Sequence, residues 1–138
     1  MRCLAWLHAA PKKVGKNGSD KNQSRLQGYL DSNTRPPLSP AGCAAYLVDY
    51  LFAAGPASYG AMGAMPLLWQ ELTHWQRNSG IDLTPWEAVT LRQLSADYVA
   101  ESHAAESPTR PAPWLPDDWQ SHEARSNVAK KIRSILRS

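Results

Sequence analysis

The strongest constraint in this chain is a stop and a restart only a few residues apart. Asn78-Ser79-Gly80-Ile81 closes one helical pattern, because a glycine just past the last turn can take the left-handed conformation that a Cβ would penalise. Thr84-Pro85-Trp86-Glu87 opens the next. Threonine caps, proline occupies the first helical position where its missing N–H costs nothing, and Glu87 stands where a capping box needs its carboxylate. The spacing predicts a helix–turn–helix hairpin over about residues 66–104.

Within that hairpin Leu68, Leu72 and Trp75 form the apolar stripe of the first helix, and Leu91, Leu94 and Tyr98 that of the second. At 100° per residue Trp86 and Val89 point about half a turn away from Leu91 and Leu94, and Trp69 lies off the Leu72/Trp75 line. A helix apolar on two sides is either sandwiched or offers one side to another molecule.

Upstream, Cys43, Tyr46, Leu47, Tyr50 and Leu51 recur on one face of a helix over about 40–54. Ser39 is its expected cap, Pro40 its first residue and Gly55-Pro56 its stop. The Gly/Ala/Met-rich run GPASYGAMGAMP reads as a pliable loop; it lacks the Gly-Lys-Ser/Thr ending and the preceding strand of a nucleotide loop. Residues 1–10 do not settle a period, although Trp6 must dock somewhere. Leu26, Tyr29 and Leu30 indicate a short helix behind Ser19 or Asp20, weakened by Gly28. Beyond the proline-rich stretch 108–116, a last helix is expected from Asp117 to Leu136. Pro116 opens it, Val128, Ile132, Ile135 and Leu136 form a narrow stripe, and Lys130, Lys131, Arg133 and Arg137 suit the negative end of its dipole.

The expected fold class is therefore all-α: the hairpin packed on helix 40–54, with a carboxyl-terminal helix and a flexible basic amino-terminal arm. The divisions fall at 1–38 for the arm, 39–107 for the helical core and 108–138 for the proline-rich linker and basic helix. A chain of 138 residues supports one modest core. The net charge of +3 is uneven, with +5 over residues 1–40, −4 over 41–115 and +2 over 116–138. The basic ends permit contact with nucleic acid through Lys12, Lys13, Lys16, Lys130 and Lys131. The hairpin itself is acidic, and phosphate would repel it, so such contact would be nonspecific.

Cys3 and Cys43 are isolated, which suits a reduced compartment. The opening MRCLAWLHAA resembles a secretory signal only faintly, because His8 interrupts its apolar run. No segment reaches the roughly 18 apolar residues needed to span a bilayer. Glu71-x-x-His74 would place a carboxylate and an imidazole on one helix face, but a carboxylate-bridged metal pair needs a second such motif and two further Glu. The polar group Asp97, Glu101, His103 and Glu106 reads as a solvated helix end. No metal, cofactor or catalytic constellation is expected, and the chain does not read as an enzyme.

The segments Leu72-Thr73-His74-Trp75-Gln76 and Ser79-Gly80-Ile81-Asp82-Leu83-Thr84-Pro85-Trp86-Glu87, followed by Leu91, Leu94, Ser95, Tyr98 and Pro111-Ala112-Pro113-Trp114, resemble small helical proteins of phage and prophage tail gene clusters. The likeness is to tail assembly chaperones of long-tailed phages and covers about residues 44–114. It rests on Trp, Gly and Pro at helix boundaries. The basic amino-terminal arm departs from it.

The resemblance implies a noncatalytic protein of the host bacterial cytoplasm that coats the tape measure protein, recruits tail tube subunits and can self-associate. A frameshifted longer form is implied too, for which codons at Lys130-Lys131 would be the slippery run. Trp69, Trp75, Trp86, Tyr98 and Trp114 are the expected contacts. Two other roles fit the same surface and charge: a structural or head–tail connecting component of the virion, and an accessory nonspecific DNA-binding protein.

Overall fold

The computed structural model describes residues 1–12 and 23–115. In chain order these form helix α1 (Arg2–His8), helix α2 (Arg25–Asp31), a 3-10 turn (Gly42–Ala44), helix α3 (Ala45–Ala54), strands β1 (Ser58–Gly60) and β2 (Gly63–Met65), and helices α4 (Trp69–Ser79) and α5 (Pro85–Ala104). The fold is mostly helical rather than strictly all-α. The expected helix from Asp117 to Leu136 lies outside the described residues.

The α4–α5 junction is built as the sequence dictates. Gly80 takes the left-handed conformation with φ 70° and its N–H donates to the Gln76 carbonyl. Thr84 accepts the Glu87 N–H at 3.3 Å, while the Glu87 carboxylate accepts both the Thr84 N–H and its hydroxyl at 2.7 Å. The side chain of Gln76 adds a clasp, accepting the Leu83 N–H at 2.9 Å.

Leu47 and Leu51 of α3, Leu67, Leu72 of α4 and Leu91 of α5 close the central core, with Met1, Tyr50, Leu83 and Leu94 around it. Each fully buried leucine contributes about 1.5–3 kcal/mol relative to exposure. Leu68, expected in this stripe, is 42% exposed, and its neighbour Leu67, at 2%, takes the core position. The cause is the entry of the chain into α4: Leu68 is the extended N-cap, outside the helical period.

Two helix starts and one connection differ from expectation. Helix α3 begins at Ala45, not at Pro40, because Gly42 at φ 60° breaks the turn that Ser39 would have capped. Helix α2 is capped by Ser24, whose hydroxyl accepts the Gln27 N–H. Residues 1–10 resolve as a helix whose Trp6 and Leu7 are buried with Ala105, Leu26, Tyr29 and Ala112. The described parts of the expected flexible arm, α1 and α2, therefore pack in a second apolar cluster at the end of α5.

The Gly/Ala/Met run forms an antiparallel hairpin with Tyr59 opposite Ala64 and a two-residue turn at Ala61-Met62. Three-residue strands are too short to show alternation, and Gly and Ala carry little strand preference of their own. Such a hairpin is marginal alone. Tertiary anchors hold it: Ser58 donates to the Glu71 carboxylate, and the Ser95 hydroxyl donates to the Pro56 carbonyl at 2.8 Å while accepting the Leu67 N–H at 2.9 Å.

Candidate functional site: an exposed aromatic face

Trp69 and Trp86 are both exposed, at 47% and 62%, although every neighbouring leucine of the core is closed to solvent. Trp86, Val89, Arg92 and Gln93 follow one another on α5 at steps that keep them on one face. Trp69, in the first turn of α4, joins that face from the side. The Arg92 guanidinium carbon lies 5.1 Å from its ring centroid, and Arg92 Nε donates to the Leu67 carbonyl at 3.1 Å. Arg92 thus fixes the angle between the α4 start and α5. Its charge also sits at the centre of an otherwise uncharged strip. Leu68 and Met65 extend the apolar border along the chain entering α4.

A row of rings approaches Trp86 from the other side. Trp75 packs on Tyr50 and Tyr50 on Tyr46, each with centroids 5.5 Å apart. Tyr46 then donates its hydroxyl to Glu87 at 2.9 Å, one residue beyond Trp86. That bond, after the Thr84 hydroxyl and Thr84 N–H, holds the Glu87 carboxyl below its ordinary pKa and raises that of Tyr46. Trp75 is half-buried within this row.

Tyr98 faces elsewhere. Its hydroxyl lies 3.0 Å from His8 Nδ1, and its ring stands edge-on to Phe52 at 5.8 Å. His8 and Tyr98 border a cleft of about 380 Å³, lined also by Lys12, Tyr59, Ser102 and Glu106. Desolvation lowers the pKa of His8 and raises that of Tyr98. Trp114 is half-buried, shortly after Ala112 meets the second cluster. The five expected contact residues therefore do not form one patch: Trp69 and Trp86 share a face, Trp75 supports it, and Tyr98 and Trp114 lie apart.

The polar group at the end of α5 is not simply solvated. Glu101 is only 4% exposed and takes a bidentate pair from Arg110, with Nε and Nη2 at 2.9 and 2.8 Å. Arg25 lies 4.7 Å over the Trp6 ring and donates to the Ala105 and Ser107 carbonyls at 2.7 and 2.9 Å, satisfying the end of the helix. Asp97 pairs with Arg2, and Glu106 with Lys12 at 2.6 Å. Lys12, expected to reach nucleic acid, is engaged by that carboxylate; Lys13, Lys16, Lys130 and Lys131 lie outside the described residues.

Glu71 is likewise committed, to Ser58 and to the Leu68 N–H, which lowers its pKa in that order of cause. Among the described residues no group of three or more His, Cys, Asp and Glu is placed to hold a metal ion, and no helix is long and apolar enough to cross a membrane. Residue spacing alone did not reveal the Arg92–Trp69 stack or the Glu101–Arg110 clasp, since both join residues from different elements or turns. No family model, curated protein or solved structure matches this chain.

Proposed function

We propose that this chain is a noncatalytic helix-binding protein acting as a tail assembly chaperone of the long-tailed phage kind. It would hold amphipathic helices of the tape measure protein until tail tube subunits assemble around them in the bacterial host. The observation carrying this reading is the exposure of Trp69 and Trp86 on a hairpin whose caps and core fix their positions. Rigid aromatic anchors bury large area at little entropic cost, and an apolar face of this kind suits the i, i+3, i+4, i+7 stripe of a partner helix. Arg92 adds a cation that a carboxylate on such a helix would pair with.

Co-expression tests this directly. The tape measure protein should be soluble and co-purify with this chain, and Trp69→Ala/Trp86→Ala should lose both effects. A tape measure protein equally soluble without this chain would overturn the proposal. Mass spectrometry of purified particles separates a chaperone, which is lost, from a virion component, which is retained.

A further inference from the structure

The cleft beside Tyr98 lies away from the tryptophan face, and the partner-binding reading makes no use of it. Tyr98 and Ser102 of α5 and Glu106 just past its end form the floor, following at four-residue steps and so spanning about 12 Å at 1.5 Å per residue. One wall is the end of α1 and the chain leaving it, from His8 to Lys12. The other is the β-hairpin, with Tyr59, 83% exposed, opposite Ala64. Ala9, Ala10, Ala57 and Val99 complete the middle with short apolar sides, which leave room for a flat body. The volume of about 380 Å³ falls in the range of small-ligand sites.

The two ends differ in chemistry. At one, His8 Nδ1 and the Tyr98 hydroxyl are 3.0 Å apart, and Phe52 stands edge-on to both rings, at 5.6 Å from His8 and 5.8 Å from Tyr98. Whichever of the two donates to the other, the pair keeps one further donor and one further acceptor. At the other end Lys12 Nζ and Glu106 Oε2 pair at 2.6 Å, with side chains 76% and 44% exposed. Desolvation lowers the pKa of His8, and Lys12, by its hydrogen bond and its charge, lowers that of Glu106. At neutral pH the charges of the lining are therefore Lys12 and Glu106, and they cancel. Neither is used up: Lys12 has two more N–H donors, and the second carboxylate oxygen of Glu106 meets His103 only at 3.8 Å. Between the ends, the Ser102 hydroxyl is claimed by no described residue.

A ligand carrying one net charge would meet its like as well as its opposite at this ion pair. A zwitterion meets an opposite charge twice. We propose that the cleft binds a free aromatic α-amino acid of tyrosine's kind, its carboxylate on Lys12, its ammonium on Glu106, its ring between the alanines and Tyr59, and its phenol on the His8–Tyr98 pair. The end of a peptide carries only one of the two α-charges and would satisfy half of the Lys12–Glu106 pair. The proposal does not rest on the chaperone reading; it gives the chain a small-molecule site separate from the tryptophan face.

Isothermal titration calorimetry of the full chain with L-tyrosine tests this. One tyrosine should bind per chain. Tyramine, which lacks the carboxylate, and hydroxyphenylpropionate, which lacks the ammonium, should each bind at least about tenfold more weakly, the loss of one charged hydrogen bond. Glu106→Gln and Lys12→Met should each weaken tyrosine by a similar factor, and melting curves should show both variants folded, since these side chains lie at the rim. Tyr98→Phe gives a readout that general loosening would not: the preference for tyrosine over phenylalanine should shrink severalfold while phenylalanine binds as before. Absence of tyrosine binding overturns the proposal. So does binding that is unchanged in Glu106→Gln and Lys12→Met, or a Tyr98→Phe variant that keeps the full preference. Tyramine or hydroxyphenylpropionate binding as tightly as tyrosine overturns it too, and assigns the cleft to a peptide end instead.

Discussion

Ser95 and Leu67 are joined by a buried hydrogen bond, the Leu67 N–H donating to the Ser95 hydroxyl at 2.9 Å from a point 28 residues earlier in the chain. The same hydroxyl donates to the Pro56 carbonyl, so one side chain of α5 secures both ends of the segment carrying the β-hairpin. That segment delivers Trp69 to the exposed face. Ser95→Ala would leave a buried N–H and a carbonyl without their partner, and should destabilise the protein by about 1–3 kcal/mol. Urea unfolding measures this, and Trp69 emission should shift as the α4 start loosens.

The exposed tryptophans should separate binding from stability. Trp86→Ala removes a side chain that contributes little to the core, and its effect on unfolding should stay within about 0.5 kcal/mol. Leu72→Ala, at 1% exposure, should cost about 2–5 kcal/mol. Calorimetry alongside a tape measure pull-down checks the contrast: the first variant loses the partner and keeps its Tm, the second loses Tm.

The hairpin turn is a backbone requirement. Gly80 sits at φ 70° with nothing near its Cβ position, so Gly80→Ala should cost about 1–2 kcal/mol through conformation alone. Thr84→Ala should cost about 1 kcal/mol by removing the acceptor for the Glu87 N–H. The turn and cap are close enough for the double variant to depart from additivity.

Stability should fall with acid in two windows. The folded pKa values of Glu71 and Glu87 lie below their ordinary value of 4.5, because each carboxylate accepts hydrogen bonds that exist only in the folded chain. That stabilisation is complete above 4.5 and is lost as pH falls through the depressed folded values. His8 is lowered from 6.5 by desolvation, so the unfolded chain binds its proton first and stability declines as pH drops from 6.5 toward the folded value. Thermal melts from pH 7 to pH 3 should show both declines, and His8→Gln should remove the upper one.

The clasp at the end of α5 should be sensitive to geometry as well as charge. Arg110→Lys cannot make the bidentate contact to the buried Glu101 carboxylate, and should lower Tm nearly as much as Arg110→Ala. Arg2→Ala, which removes a more exposed pair with Asp97 at 3.4 Å, should change it little. Melting curves of the three variants decide the order.

Local chemistry wrote the α4–α5 hairpin into the sequence: a glycine that can enter the left-handed region, a Thr-Pro start and a Glu placed to close the box act within a few residues of one another. The 3.6-residue period likewise marked Leu47, Leu51, Leu72 and Leu91 as core and set Trp86 and Val89 on another side. Only the tertiary structure decided that the side bearing Trp69 and Trp86 stays uncovered by any described residue, since amphipathic pattern gives direction but not what stands there. It also decided the fate of groups joined over long sequence distances. Glu101 is buried because Arg110 folds back on it, α1 is packed because Trp6 finds Ala105, and GPASYGAMGAMP pairs as strands because Ser95 and Glu71 hold its ends. Those contacts take their energy from proximity that folding creates, and no window of neighbouring residues contains it.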